Sequence, residues 1–124
     1  MLVTGIDIIE IPRIERVIAR WGDRFLNRIY TPKELAFCAG KPNRLAARFA
    51  AKEAASKALG LGIRGIAWKE IEVVRRRGHP PALRLHGRAA RRAEFLKITQ
   101  LSISISHSRD YAVASVVGWR ECAA

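Results

Sequence analysis

Cysteine is scarce in this chain of 124 residues, acidic residues are few, and no long apolar run occurs. The two cysteines, Cys38 and Cys122, stand far apart and outside any CxxC pattern. That argues against a zinc site or a disulfide framework and leaves two reduced thiols. No window approaches the roughly 20 apolar residues that a membrane-spanning helix needs. Met1 to Asp7 lacks the basic start and uninterrupted apolar run of a signal peptide, so a cytoplasmic protein without a membrane span is expected. Repeats, low-complexity tracts and linkers are missing too, so residues 1–124 read as a single domain. The glycines from Gly60 to Gly65 could offer backbone N–H groups to an anion. They lack both the Lys-Ser/Thr ending of a P-loop and the GxGxxG of a dinucleotide site.

The shortage of acid has the widest consequence. Lys and Arg number 23 against 11 Asp and Glu, a net charge of +12. Such a surface attracts nucleic acid, acidic proteins or phosphorylated ligands, and charge alone does not choose among them. Apolar residues make up 49% of the chain, enough for a real core.

The pattern along the chain indicates an α+β fold with a central helix packed on a mostly antiparallel sheet. Leu2 to Ile11 reads as a strand buried on both sides, interrupted by Asp7. Gly5, two residues earlier, would admit a closely approaching backbone or ligand. Pro12 opens a helix whose residues Ile14, Val17, Ile18 and Trp21 form a core-facing stripe. Arg13, Arg16, Arg20 and Arg24 recur on another face as a basic ridge. Thr31-Pro32-Lys33-Glu34 is a capping box for a short helix ending near Gly40. A third helix, from about Asn43 as N-cap to Leu59, is rich in alanine and carries Phe49, Glu53 and Lys57 one turn apart on one side. Arg44, Arg48 and Lys52 form a basic row beside them. Trp68 to Arg77 and Leu83 to Leu85 read as a hairpin across Gly78-His79-Pro80-Pro81. His79 and His86 read as surface residues. A basic helix follows from Gly87 to Lys97. Leu101 to His107 alternates aliphatic residues with serines, and Tyr111 to Trp119 returns as its partner strand. The tail from Arg120 to Ala124 should fray.

Four side chains could carry chemistry. An ordinary ion pair explains Glu53 and Lys57 at about 0.2–0.5 kcal/mol, and a salt bridge to an arginine would explain Asp7. A carboxylate within an apolar strand is costly unless it is paired or binds a cation. Asp7 and Glu53 together offer two hard oxygen ligands, which suits Mg²⁺ completed by water and phosphate. Lys57 could then meet a phosphate oxygen, and His107 could donate to another phosphate or move a proton. That is equipment for phosphoryl-type transfer.

Gly5-Ile6-Asp7-Ile8-Ile9-Glu10-Ile11-Pro12-Arg13-Ile14, Arg48-Phe49-Ala50-Ala51-Lys52-Glu53-Ala54 and Lys57-Ala58-Leu59-Gly60 resemble the holo-[acyl-carrier-protein] synthase family. These are the short bacterial-type 4'-phosphopantetheinyl transferases. Trp68 to Val73, Gly78-His79-Pro80, Leu85-His86-Gly87 and Ser104 to Ser108 continue the likeness in order. The resemblance implies transfer of phosphopantetheine from coenzyme A to a serine of apo acyl carrier protein, in support of fatty acid biosynthesis, with release of adenosine 3',5'-bisphosphate. It implies Asp7 and Glu53 as Mg²⁺ ligands, and Glu53, Lys57 and His107 as catalytic residues. Arg48, Phe49, Lys57 and His107 would lie against coenzyme A. Glu53, or a water on the metal, would take the serine proton. Arg13, Arg20 and Arg24 would dock the acidic carrier protein. A homotrimer with sites between subunits is implied as well, with the serine face and the alanine surface as contact candidates. Glu70 stands where the family often has Asp, and Phe37 to Asn43 is this chain's own.

Two rivals accompany that reading. A small basic nucleic-acid-binding protein would explain the charge but not Asp7 or Glu53, and aromatics interleaved with the basic residues are lacking. An inactive module could retain coenzyme A affinity without transfer.

Overall fold

The computed structural model describes residues 1–61 and 65–122. Gly62, Ile63 and Arg64 of the glycine loop and the last two residues of the tail lie outside them. In order, the elements are β1 (Leu2–Glu10), α1 (Ile11–Trp21), α2 (Asp23–Ile29), α3 (Pro32–Cys38) and α4 (Pro42–Ala58). A 3₁₀ turn (Trp68–Glu70), β2 (Ile71–Val74), β3 (Ala82–Leu85), α5 (Gly87–Phe95), β4 (Ile98–His107) and β5 (Tyr111–Arg120) follow.

The sheets bear out the expected α+β class. One has three antiparallel strands in the order β1-β5-β4, and the β2-β3 hairpin forms the other. Helix α4 lies across β1 and β5. Its alanines at 46, 47, 50, 51, 54, 55 and 58 are buried against them, because only small side chains let a helix backbone approach a sheet this closely. These alanines are therefore not free for subunit contact, because the rest of the same chain covers them.

At Gly5 the approach is closest. A Cβ built there would stand 1.9 Å from the Ala54 carbonyl oxygen and 2.9 Å from the Ala58 nitrogen. The close backbone approach expected at this glycine is thus made by α4, and it fixes how the helix crosses β1.

Strand β1 is not buried on both sides. Val3, Gly5, Asp7 and Ile9 face α4, while Leu2, Ile6 and Ile8 are each 62% exposed on the other face. Register carries this split across the sheet. Asp7 pairs with Ala114 and Ile9 with Ala112, both buried, whereas Ile6 pairs with Ser115, which itself pairs with Ser104.

Trp21 is also corrected: it is 49% exposed, while Ile14 from the same proposed stripe is buried. Gly22, at φ 54°, breaks the chain into two helices, and α2 has no counterpart in the sequence reading. The capping box at Thr31 and Glu34 forms as expected. Asn43 is not the N-cap of α4, because Pro42 already occupies the first turn and Lys41 precedes it. The expected strand from Trp68 begins as a 3₁₀ turn, and its regular part is only Ile71–Val74.

Candidate active site

Two elements supply the centre of the site. Asp7 comes from the middle of β1 and points toward α4; Glu53 comes from α4 at a half-buried position. The contact at Gly5 sets the two carboxyl groups beside one cleft of about 220 Å³, lined also by Ile9, Arg13, Phe25 and Phe49. Burial raises the Glu53 pKa first, the neighbouring Asp7 charge raises it further, and Lys57 works in the opposite direction. Two carboxylates that repel one another over a shared cleft form a charge arrangement that a cation would relieve.

Lys57 does not pair with Glu53, its neighbour one turn away. Its Nζ donates to the Ile6 carbonyl at 2.8 Å and lies 3.4 Å from Asp7 Oδ1. The salt bridge that Asp7 makes is therefore with this lysine and not with an arginine. The Lys57 side chain remains half exposed beside Asp7, so its charge stays available. Among the described residues no cluster of three or more His, Cys, Asp or Glu side chains forms. The carboxylate pair alone would offer a hard cation few protein ligands and would leave most coordination positions to water and phosphate oxygen.

His107 is not brought into this cleft. It ends β4 opposite Ala112, which pairs in turn with Ile9, so β5 separates its strand from that of Asp7. Strand spacing alone places the two strands about 10 Å apart. His107 is exposed at the outer strand of the sheet.

Arg48 is more buried than its place in a basic row suggested. It is 5% exposed, its guanidinium carbon lies 4.4 Å above the Phe37 ring, and its Nε has no hydrogen-bond partner among the described residues. Burial is the main cause of its lowered pKa, and the charges of Arg44 and Arg75 add to it. A buried guanidinium with an unused donor and two cationic neighbours is suited to an anion. Phe49 stacks on Trp68 with ring centroids 4.7 Å apart.

The arginine ridge is exposed throughout at Arg13, Arg16, Arg20 and Arg24. A second hollow, of about 450 Å³, is lined by Val17, Trp21, Arg24, Phe25 and Arg28. Val17 and Phe25 also line the carboxylate cleft, so the ridge leads into it. Sequence reasoning missed Trp21, Phe25 and Arg28 as parts of this surface. The signal was the spacing of Arg24 and Arg28 by four, hidden by the unrecognised α2.

A family model described as the 4'-phosphopantetheinyl transferase superfamily matches residues 4–116. The chain belongs to this superfamily. It is 53% identical to the holo-[acyl-carrier-protein] synthase of Koribacter versatilis over 94% of this chain and 97% of that protein. With the enzyme of the same name from Herpetosiphon aurantiacus it shares 52% identity, over 95% and 98%. Among solved structures, the Helicobacter pylori holo-[acyl-carrier-protein] synthase in complex with coenzyme A superposes with a TM-score of 0.85. It is 36% identical, with 94% of this chain and 99% of that one covered. The Neisseria meningitidis enzyme gives the same TM-score at 38% identity, covering 95% and 98%.

Proposed function

We propose that this chain, acting as one transferase domain, moves the 4'-phosphopantetheine arm of coenzyme A onto a serine of apo acyl carrier protein. The observation that carries the reading is the carboxylate pair Asp7 and Glu53 beside one cleft, with Lys57 Nζ on Asp7. In this reading Asp7 and Glu53 hold Mg²⁺. The ion, when bound, supplies positive charge to the pyrophosphate of coenzyme A.

The serine oxygen attacks the phosphorus that bears the pantetheine arm. The bond from that phosphorus to the bridging oxygen breaks, and adenosine 3',5'-bisphosphate leaves with the bonding electrons. Lys57 exchanges its contact with Asp7 for a phosphate oxygen and offsets the charge on the leaving group. Glu53 takes the serine proton on the acceptor side, directly or through a water. In this reading the Arg48 guanidinium would turn toward another phosphate of coenzyme A, and Phe49 would form an apolar wall.

The exposed ridge of Arg13, Arg20 and Arg24, continuous with the cleft, would orient an acidic carrier protein so that its serine enters beside Glu53. His107 fits the reading only when subunits are considered together. The outer sheet face exposes Leu2, Ile6, Ile8, Tyr111, Val117 and Trp119, and the serines of β4 lie on the same face by register. Such a patch supports assembly. A homotrimer would cover it and could bring His107 to a neighbouring subunit's cleft. No helix among the described residues is long and apolar enough to cross a membrane. A cytoplasmic place in fatty acid biosynthesis follows from the proposed reaction.

Mass spectrometry of the carrier tests the reaction. Incubated with the protein, coenzyme A and Mg²⁺, apo carrier protein should gain the phosphopantetheine mass. EDTA and Asp7→Ala should each prevent the gain. A carrier left unmodified across several acidic carrier proteins would overturn the proposal.

A further inference from the structure

Lys52 adjoins Glu53 in sequence but points away from the cleft, and its side chain is fully buried. Its Nζ donates to Glu34 Oε1 at 2.8 Å, to the Ile71 carbonyl at 2.6 Å and to the Trp68 carbonyl at 3.2 Å. An ammonium has three protons, and all three have acceptors here. Glu34 is equally committed. Oε1 also accepts from the Thr31 backbone, and Oε2 accepts from the Val73 backbone at 2.9 Å. One buried ion pair therefore joins α4, α3 and the start of β2.

Two of the three acceptors of Lys52 belong to the short segment that carries Trp68. Its other end is held by Glu70, which accepts from the Ala67 backbone at 2.7 Å and from the first amides of α5. Clamped in this way, Trp68 lies with its ring on Phe49, and Phe49 lines the carboxylate cleft one turn before Glu53. A lysine needed only for stability is a poor solution, since hydrophobic replacement of a buried ion pair is often neutral or stabilising. Here the ammonium does something an apolar side chain cannot: it fixes two carbonyls of the segment that backs the cleft wall.

We infer that Lys52, together with Glu34, is a positioning residue that holds Trp68 against Phe49 and so sets the wall of the reaction cleft. The inference rests on the proposed transfer reaction and deepens it.

The test uses the full-length protein, with kcat and melting read in the otherwise native chain and quenching read in a Trp21→Phe/Trp119→Phe background, so that emission reports Trp68 alone. Lys52→Met leaves Glu34 buried and unpaired and should lower the melting temperature sharply. In Glu34→Gln/Lys52→Met the stranded charge is gone, so much of the melting temperature should return. The Trp68 and Ile71 carbonyls still lack their donor, however. In that double variant kcat for transfer should stay about tenfold low, in keeping with the sensitivity of rate to small misplacements. Acrylamide should quench Trp68 more readily than in the parent. Parental kcat with parental quenching in the double variant would overturn the inference. Trp68→Leu keeps the ion pair intact and guards against a variant that fails to fold. It should melt near the parent and lose kcat to a similar extent, and unchanged kcat there would also overturn the inference. If the parent transfers nothing, the underlying reaction fails, and the quenching contrast alone then decides whether Lys52 positions Trp68.

Discussion

Lys57 Nζ lies 3.4 Å from Asp7 Oδ1 and bridges α4 to β1, bypassing Glu53 on its own helix. That leaves Glu53 without its expected counter-ion while it shares a cleft with a second carboxylate. The arrangement is unfavourable for the protein alone, and a cation would relieve it.

A stability prediction follows directly. Burial first, and Asp7 second, raise the Glu53 pKa above its ordinary value. Between the unfolded and the folded pKa the native state holds more protons, so stability falls as pH rises through that window. Above it the cost is fully present. In EDTA at pH 7, Glu53→Gln should therefore melt about 2–5 °C above the wild type, and the difference should shrink toward pH 4. Transfer should fall by about a hundredfold or more in the same variant. A lower melting temperature for Glu53→Gln, measured by calorimetry, would count against the repulsive pair.

Mg²⁺ provides the converse experiment. A ligand that binds only the folded state raises the melting temperature as its concentration exceeds Kd. Millimolar Mg²⁺ should stabilise the wild type and leave Asp7→Asn/Glu53→Gln unmoved. Equal shifts in both would place the ion elsewhere.

Charge reversal on the ridge separates docking from chemistry. Arg13→Glu with Arg20→Glu should raise KM for the carrier protein by about tenfold or more, because like charges would then face one another. Binding of coenzyme A, followed by calorimetry, should persist. Loss of both together would show that these arginines do not act as a docking surface.

Subunit complementation tests the place of His107. Co-expressed His107→Ala and Glu53→Gln chains should recover about a quarter of the wild-type sites if each site draws on two protomers of a closed ring. Each variant alone should be nearly inactive. Ile6→Glu/Ile8→Glu, on the exposed sheet face, should give a monomer by light scattering. A mixture no more active than its components would mean that His107 serves the cleft of its own chain or none.

Much of the fold was legible because local signals agreed with one another. The capping box at Thr31, the alternation in β4 and the alanine-rich α4 each specify one conformation. What was missed had opposite causes. Trp21 fell in a helical stripe, yet its end of the stripe turned out of the core, because Gly22 redirects the chain into α2. Lys52 and Glu34 read as a basic row and a helix cap, since burial of an ion pair depends on partners 18 residues apart. A weak signal did exist: Lys52 lies among alanines that fill the helix surface facing the core. Asp7 and Glu53 were legible as a pair, but the lysine contact was not, because helical spacing favours the neighbour one turn away. His107 was legible as a residue type and not as a position, for the strand order that places it beyond β5 is a property of the whole sheet.

Gly5 gives the site a property that no side chain could. Helix α4 rests on β1 there through bare main chain, so no rotamer stands between the two elements that carry Asp7 and Glu53. In the proposed metal site the gap between the carboxylates would work as a fixed gauge. A cation of different radius would have to be met by the two side chains themselves, since the main chains behind them are already in contact.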